Sequence, residues 1–218
     1  MYKRQVCGGG QPCFGFTPDG AGYKTPHGVE FNPEKARALL AQAGFPGGKG
    51  FPRLELMTTS REVQKTMAEA IQGMWKRHLG VHVDIRSCEW TAYKFAQNSM
   101  QYDFSSSSWS GDYLDPSSFL DLWSSASGNN NTGWSRPEYE RLLAESRATG
   151  DQEKRMALLA RAEALMLSES PVIPLYWARR SYLKSPEVRG WHPLLLDNHL
   201  FEDISLGAPR EQGKEAAP

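Results

Sequence analysis

Residues 53–87 read RLELMTTSREVQKTMAEAIQGMWKRHLGVHVDIRS, and this stretch decides the fold class. RLELMTT (53–59) is typical of a short strand, residues 61–79 carry the apolar spacing of a helix, and Gly80 ends that helix. In VHVDIRS (81–87) apolar and polar residues alternate, as in a strand with one covered face. A strand, a helix and a strand of these lengths predict a parallel pair with a right-handed crossover, hence an α/β fold. The predicted buried face of the helix is Val63, Met67, Ile71, Met74 and either His78 or Leu79.

Helices are predicted on both sides of this unit. In FNPEKARALLAQAGF (31–45), Asn32 is the predicted N-cap, Pro33 takes the first helical position and Gly44 ends the helix. Its predicted buried face is Ala36, Leu39, Leu40 and Ala43. After this unit the sequence predicts a short helix over 90–100, a third strand within 102–109, and a helix with Asp115 as N-cap and Pro116 at its first position.

Two further helices are predicted. One begins with a capping box of Ser135 and Glu138, and the other begins at Asp151. The predicted apolar face of the second is Met156, Leu159, Ala162, Leu165 and Met166.

Composition excludes several function classes. The 218 residues include 25 basic and 25 acidic side chains, so no global field favours nucleic acid or membrane phosphates. No run approaches the roughly 20 apolar residues that span a bilayer. The N-terminus has no apolar core of a secretion signal, and glycine-rich loop sequence follows Met1 within a few residues. Met1 is therefore a doubtful natural start, and we expect the chain to be part of a longer one.

Few residues suggest catalysis or metal binding. The five histidines are scattered, and no Cys/His cluster has the spacing of a zinc site. Cys7 and Cys13 are either a disulfide or a chance pair in a loop. Asp112 and Asp115 suggest paired carboxylates of a glycoside hydrolase, but Asp115 is already explained as a helix cap. No sequence pattern matches an activated nucleophile.

Aromatic side chains near polar loops are the remaining signal. Trp90, Trp109 and Trp134 fall at element boundaries, where ligand walls commonly lie, although most tryptophans of a domain are core residues. Asp112 follows Gly111, which permits close approach of a ligand to the backbone. A partly desolvated carboxylate there could pair with a ligand ammonium, and a second capping Asp is the alternative interpretation. The serine run in FSSSSW (104–109) is by composition also compatible with a linker.

Five motifs in one order resemble a known family. FNPEKARALLAQAGF, WSGDYLDPSSFLDLW (109–123), NNNTGWSRPEYERLL (129–143), PVIPLYWARRSYL (171–183) and LFEDISL (200–206) are similar to the C-terminal part of the oligopeptide- and dipeptide-binding proteins that supply ABC importers, solute-binding protein family 5. The resemblance spans roughly residues 8–206. Each motif alone is weak, whereas the ordered set is specific.

The resemblance implies an architecture. The family's receptors have two lobes, and this chain is similar to the second lobe of that periplasmic-binding-protein fold with a return β segment of the first lobe. We expect a loop-rich start of a truncated chain at 1–31, an α/β ligand-binding lobe at 32–170, a return segment at 171–206 and a disordered tail at 207–218. Most of the first lobe, the signal peptide and any lipid anchor are expected outside this chain.

The resemblance also implies a site. The family's peptide lies extended between the lobes and pairs through its backbone like an added strand. The aspartate of its W-x-x-D pattern, here Asp112, meets the peptide ammonium. The implied ligand-binding residues are Trp90, Trp109, Ser110, Gly111, Asp112, Tyr113, Asn131, Thr132 and Trp134. Ser106 stands where some members carry a basic residue, and Ser110 where some carry a cysteine, so one counter-charge for a peptide carboxylate and one disulfide are not expected.

The expected function is peptide capture without catalysis or cofactor. The partners implied are a peptide and an ABC permease of the cytoplasmic membrane, and the expected protein is a monomer that binds no nucleic acid. Its expected location is the periplasm or the cell surface, with a lipid anchor in the full-length form. Other members of the family bind nickel complexes, oligosaccharides, opines or haem, and these remain alternatives. Glycoside hydrolysis through Asp112 and Asp115 is the remote one.

Overall fold

The structure is a computed structural model that describes residues 10–178, 182–194 and 199–207. Helices and short strands are interspersed along the chain. The strands are β1 (Gln11–Pro12), β2 (Leu54–Thr59), β3 (Val83–Cys88), β4 (Phe104–Ser105), β5 (Tyr176–Trp177), β6 (Val188–Arg189) and β7 (Ser205–Leu206). The α-helices are α1 (Pro33–Gln42), α2 (Glu62–Leu79), α3 (Trp90–Asn98), α4 (Ser117–Leu120), α5 (Pro137–Ala148) and α6 (Gln152–Glu169).

A three-stranded parallel sheet of order β3-β2-β4 lies at the centre of the α/β part. β2 and β3 pair over six residues each, from Leu54 opposite Val83 to Thr59 opposite Cys88, and α2 connects them. The predicted strand–helix–strand unit is therefore confirmed. The predicted third strand is shorter than expected: β4 covers two residues, and Ser106 makes one further backbone bond to Met57 O at 2.9 Å. After Ser106 the chain leaves the sheet.

Two small cores cover the two faces of this sheet. Adjacent side chains of a strand point to opposite faces. Leu56 accordingly packs in a core that α2 contributes to, whereas Met57 packs with α3. The α2 residues of that core are Ala68, Ile71, Trp75 and Leu79, a face rotated from the predicted one. Val63 is 53% exposed because it lies in the first turn of α2, outside this core.

A larger core lies among the later helices. α5 and α6 pack on each other and on the segment that contains α4. The buried residues of this large core are Tyr23, Leu120, Leu122, Trp123, Tyr139, Leu142, Leu143, Met156, Leu158, Leu159, Ala162, Met166 and Leu167. The predicted face of α6 is confirmed, with Leu165 half-buried at its border.

Helix starts agree with the sequence where a side chain caps the helix. Asn32 Oδ1 accepts from Lys35 N at 3.0 Å and Asp151 Oδ1 from Lys154 N at 3.1 Å, so both predicted N-caps are confirmed. The capping box of Ser135 and Glu138 is wrong: α5 has Arg136 as N-cap without a side-chain bond. Pro137 at the first helical position fixes this start, which leaves Ser135 one residue outside the cap.

The predicted buried face of α1 is also wrong. No residue of α1 is buried, and Leu39 is 54% exposed. Leu40 alone of the predicted face packs against a core, that of α2 and the sheet. The apolar spacing of a helix shows which side is apolar, but only the neighbouring elements decide how much of it is covered.

The N-terminal end of the described chain pairs with the segment that follows α6. β1 pairs antiparallel with β5, and β6 pairs with β7. Within 171–183 only Tyr176–Trp177 is a described strand. Of the predicted disordered tail, 207–218, only Gly207 lies within the described residues, and its amide donates to Glu187 O at 2.7 Å. Glu163 of α6 is fully buried, and its carboxylate accepts from Phe16 N, Thr17 N and the Tyr23 hydroxyl at 2.7, 3.1 and 2.6 Å. This contact fixes the segment 16–23 to the large core.

Candidate ligand-binding site

The carboxyl ends of the parallel strands meet at one edge of the sheet. Beyond this edge, β2 continues into α2, β3 into α3, and β4 into the serine run 105–108. Ligands of open parallel sheets bind in the crevice outside this edge. The predicted site residues of α3 and of the segment after β4 therefore start from the same side of the sheet.

Ser106 is the fixed point from which the serine run leaves the sheet. Its amide bonds to β2, its carbonyl accepts from the Tyr93 hydroxyl at 2.6 Å, and its hydroxyl donates to Gln64 Oε1 at 3.2 Å. Three elements, β2, α3 and α2, thus hold one residue. Ser107 and Ser108, which follow, are exposed.

Ser118 holds the other end of this segment. Trp109 Nε1 donates to Ser118 O at 2.8 Å, and Asp112 N donates to Ser118 Oγ at 2.6 Å. Gly111 lies so close to Phe119 that a Cβ on it would approach the ring to 2.7 Å. The segment 107–112 is therefore a defined loop that packs on the large core. The serine run does not form a flexible linker.

Asp112 is exposed. Within the described part of the chain, no cation forms an ion pair with its carboxylate. The partial desolvation expected from the sequence is not provided by the described residues, because the loop presents this side chain to solvent. Ser110 is exposed as well, and Tyr113 is half-exposed with its hydroxyl 3.3 Å from Ser117 Oγ.

Asp115 has a structural role, although the prediction that it is the N-cap is wrong: Pro116 is the N-cap and α4 begins at Ser117. Both its oxygens bond to Arg155 at 2.7 Å, and Oδ1 also accepts from Ser117 N at the start of α4. Burial acts to raise the pKa of Asp115, but the bonds from Arg155 and Ser117 outweigh it and lower the pKa to about 2. A carboxyl group that is ionised above that pH cannot protonate a leaving group at neutral pH. Asp115 is therefore unsuited to the general-acid role in glycoside hydrolysis.

Trp90 is the first residue of α3 and is 56% exposed. One face of its ring is stacked on Tyr93, with centroids 5.9 Å apart and planes at 18°. The preceding Glu89 caps the helix by accepting from Thr91 N at 2.8 Å. Trp90 thus presents apolar surface to solvent from a fixed support.

The loop that contains Asn131, Thr132 and Trp134 is organised by a residue that sequence reasoning missed. Asn130 Nδ2 donates to the carbonyls of Trp123, Ser124 and Trp134, and its Oδ1 accepts from the Thr132 hydroxyl at 2.7 Å. The ring of Trp134 packs edge-on against Tyr139, and its Nε1 donates to Glu169 at 2.8 Å. Trp134 is therefore mainly anchored in the large core.

The structure brings the predicted site residues into two groups. Trp109 and Trp134 both pack against the large core, whereas Trp90 stands on α3 above the small core of Met57. Tyr93, Tyr102, Ser118 and Asn130 connect or hold these groups. Ser118 and Asn130 lie within the quoted motifs, and Tyr93 and Tyr102 lie outside them, but none of the four was predicted as a site residue. The one available signal was that each lies within ten residues of a predicted site residue.

Metal ligands, cysteine reactivity and membrane-spanning helices are three further features of the described residues that bear on function. Among the described residues, no group of three His, Cys, Asp or Glu side chains is placed to hold a metal ion. Cys13 is buried, and this burial raises the pKa of its thiol to about 11, while Cys7 lies outside the described residues. No described helix is both long enough and apolar enough to cross a membrane.

Known proteins share this arrangement of elements. Residues 2–131 match the family described as bacterial extracellular solute-binding proteins, family 5 middle. The oligopeptide-binding protein OppA of Bacillus subtilis is 32% identical over 177 residues, 81% of this chain and 32% of that protein. The probable deoxycholate-binding periplasmic protein YgiS of Escherichia coli is 34% identical over 156 residues, 72% and 29% of the two chains. The solved structure of the murein tripeptide binding protein MppA of Escherichia coli has a TM-score of 0.79 and 29% identity, and covers 91% of this chain and 40% of its own.

These likenesses define the class of protein as a bacterial solute-binding protein. The chain belongs to family 5 of the bacterial extracellular solute-binding proteins, and its α/β fold is part of the fold of those receptors. It spans about a third of the length of the curated relatives named above. The relatives are named as binding proteins.

Proposed function

We propose that this chain supplies one ligand-contacting lobe, residues 32–170, of an extracytoplasmic receptor that captures peptides for an ABC importer. Residues 171–206 are its return segment to the other lobe. One observation carries the proposal: the loop 107–112 follows the carboxyl end of β4 and is held at Ser106 and at Ser118, and its exposed Asp112 carboxylate has no ion pair among the described residues.

The Asp112 carboxylate suits an α-ammonium group. It is anionic, it is held on a fixed backbone, and no described cation competes for it. Closure of a second lobe over the site would remove water, which strengthens a charge-assisted hydrogen bond. A peptide whose ammonium is blocked would leave Asp112 buried and unpaired, which typically costs about 3 to 5 kcal/mol.

The main chain of the serine run suits the peptide backbone. Ser107, Ser108 and Ser110 are small and exposed, so an extended ligand can approach the main chain closely. Backbone pairing of this kind is blind to side chains and gives broad peptide specificity. Trp90 and the Asn131–Thr132 loop would then contact ligand side chains.

A second candidate ligand is a non-peptide solute, because one relative is named as a probable deoxycholate-binding protein. Deoxycholate carries a carboxylate and no amine. The Asp112 carboxylate would repel that charge, so the unpaired Asp112 favours a ligand with an ammonium group.

Calorimetry tests the choice on protein expressed from its full coding sequence. We expect a tripeptide with a free N-terminus to bind at least about 100-fold more tightly than its N-acetylated form, and Asp112→Asn to abolish most of this difference. Asp121→Asn is the matched control, because it removes the same charge from a nearby carboxylate that is already bonded to Arg147 at 2.7 Å.

Equal affinity for the two tripeptides in the wild type would contradict the proposal. Binding of deoxycholate with no binding of peptide would favour the second candidate. Uptake of the peptide by cells that lack only this receptor would contradict its role as the supplier of the importer.

A further inference from the structure

Two tyrosines connect the small core beneath the site to the proposed ligand-contacting segments. This small core consists of Met57, Tyr93 and Ala96, with Cys88 and Tyr102 packed against it. Each tyrosine donates its hydroxyl hydrogen to a backbone carbonyl outside the core: Tyr93 to Ser106 O at 2.6 Å and Tyr102 to Asn131 O.

Tyr93 acts on two walls of the site at once. Its hydroxyl holds the carbonyl of Ser106, where the serine run leaves the sheet, while its ring supports the indole of Trp90. Gln97 Nε2 donates to the same hydroxyl at 3.1 Å and to Ser105 Oγ at 3.2 Å. The hydroxyl thus has both a donor and an acceptor role filled, which fixes its orientation in a side chain that is 2% exposed.

Tyr102 holds a third segment of the proposed site, the loop 129–134. On the side of the large core, the loop 129–134 is held by Asn130 through the carbonyls of Trp123 and Trp134. Tyr102 holds the neighbouring residue, Asn131, from the side of the small core. The loop therefore spans the two cores, and its position depends on contacts from both.

We infer that Tyr93 and Tyr102 are positioning residues for ligand binding: they touch no ligand, but they fix the backbone and the indole that the ligand meets. The inference rests on the proposed function. Its physical reason is preorganisation, because a main chain that pairs with an extended ligand must present its donors and acceptors in register before the ligand arrives. A loop that has lost one of the hydrogen bonds at its fixed points is less ordered before binding and must be ordered further by the ligand, and this reduces affinity.

Removal of a single hydroxyl group tests the inference, with a third tyrosine as the matched control. Tyr139 is also buried, and its hydroxyl also donates to a backbone carbonyl, that of Leu120 at 2.7 Å, but in the large core. Tyr93→Phe, Tyr102→Phe and Tyr139→Phe are made in protein expressed from its full coding sequence. Tripeptide affinity by calorimetry and the melting temperature are then measured for each.

We expect the dissociation constant of the tripeptide to rise about tenfold in Tyr93→Phe and about threefold in Tyr102→Phe, and to stay within about twofold in Tyr139→Phe. The melting temperature should fall most in Tyr93→Phe, whose lost hydroxyl bonds both to Ser106 O and to Gln97 Nε2. It should fall by smaller and similar amounts in Tyr102→Phe and Tyr139→Phe, because each loses one described hydrogen bond to a carbonyl. The affinity ratio of free to N-acetylated tripeptide should stay at the wild-type value in Tyr93→Phe, because Asp112 is untouched.

Two results would overturn the inference. One is a tripeptide affinity of Tyr93→Phe equal to that of the wild type, and the other is an equal loss of affinity in Tyr93→Phe and Tyr139→Phe. Equal binding of free and N-acetylated tripeptide by the wild type would instead overturn the proposed function, and a wild type without any peptide affinity would overturn both.

Discussion

Glu163 and Asp112 are two carboxylates of one chain that differ in burial and in hydrogen-bond partners. Glu163 is 0% exposed on α6, and three donors, Phe16 N, Thr17 N and the Tyr23 hydroxyl, satisfy its oxygens. Asp112 is exposed on a loop, and among the described residues its backbone amide bonds to Ser118 while its carboxylate forms no ion pair. A buried carboxylate whose partners all lie within the chain stabilises the fold, whereas one left without partners is available to a ligand.

The surroundings of the two residues show the same contrast. Around Glu163 the large core joins α6 to the segment 16–23, and Trp177 Nε1 donates to Phe16 O at 3.3 Å from β5. Around Asp112 the exposed side chains Ser107, Ser108 and Ser110 are small. One region joins distant parts of the chain, and the other leaves room beside a fixed main chain.

The largest expected effect is on stability, from loss of the buried carboxylate. Glu163→Ala removes the acceptor of three buried donors, so we expect the free energy of unfolding to fall by about 3 to 5 kcal/mol in urea titrations. Glu145→Ala is the control, because Glu145 is exposed on α5 and its one ion pair within the described part of the chain is with Arg141, so its loss should cost about 0.5 kcal/mol or less. Similar losses in the two variants would remove the distinction between the regions.

The pH dependence of stability should have opposite signs at Glu163 and at Asp115. Burial raises the pKa of Glu163, and the bonds from Tyr23, Thr17 and Phe16 only partly offset this. The folded state therefore holds a proton at Glu163 more tightly than the unfolded state, and this residue adds stability that is lost as pH rises through its folded pKa. Asp115, with its pKa lowered to about 2, adds stability above its ordinary value of 3.8 that is lost as pH falls toward 2.

Melting temperatures measured between pH 2 and pH 8 check both signs. The wild type should gain stability as pH falls from neutral toward the ordinary range of Glu163, and lose it below about pH 4. Glu163→Gln, which keeps an oxygen acceptor but cannot ionise, should show no gain as pH falls from neutral and the same loss as the wild type below about pH 4. If Glu163→Gln gains as much stability as the wild type when pH falls from neutral, Glu163 is not the cause of that gain.

The smallest expected effect on stability is that of Asp112→Asn. Because its carboxylate has no described partner, we expect the free energy of unfolding to change by less than about 0.5 kcal/mol in the same urea titrations. If Asp112→Asn also loses the preference for a tripeptide with a free N-terminus, the contrast between a carboxylate that stabilises the fold and one that binds ligand becomes sharper. A loss of more than about 1 kcal/mol would mean that the fold itself uses this carboxylate.

Local sequence predicted the elements better than it predicted what covers them. The parallel pair of β2 and β3, the cap at Asn32 and the buried face of α6 follow from short-range spacing, and the structure confirms them. The face of α1, the length of β4 and the start of α5 were wrong. Each of these depends on something outside the motif: the packing of neighbours, the departure of the chain toward Ser118, and the constraint of Pro137.

The candidate site divides in the same way. Asp112, Trp109 and Trp90 were predicted as site residues from a motif order that resembles a family. The family membership is now shown, and the ligand contacts of these residues stay a prediction. Tyr93, Tyr102, Ser118 and Asn130 were missed, because their roles are hydrogen bonds to backbone groups 4 to 29 residues away in the chain. A residue type alone does not indicate which distant carbonyl it will meet.

The sequence by itself determined the α/β class, the order of helices around β2 and β3, and the family, because these depend on periodicity and on residues close together in the chain. Only the tertiary structure decided which carboxylate is buried and which is exposed, and which tyrosines hold the loops. Burial and hydrogen-bond partners are set by segments far apart in the chain, such as Phe16 and Glu163, and these become neighbours only when the chain folds.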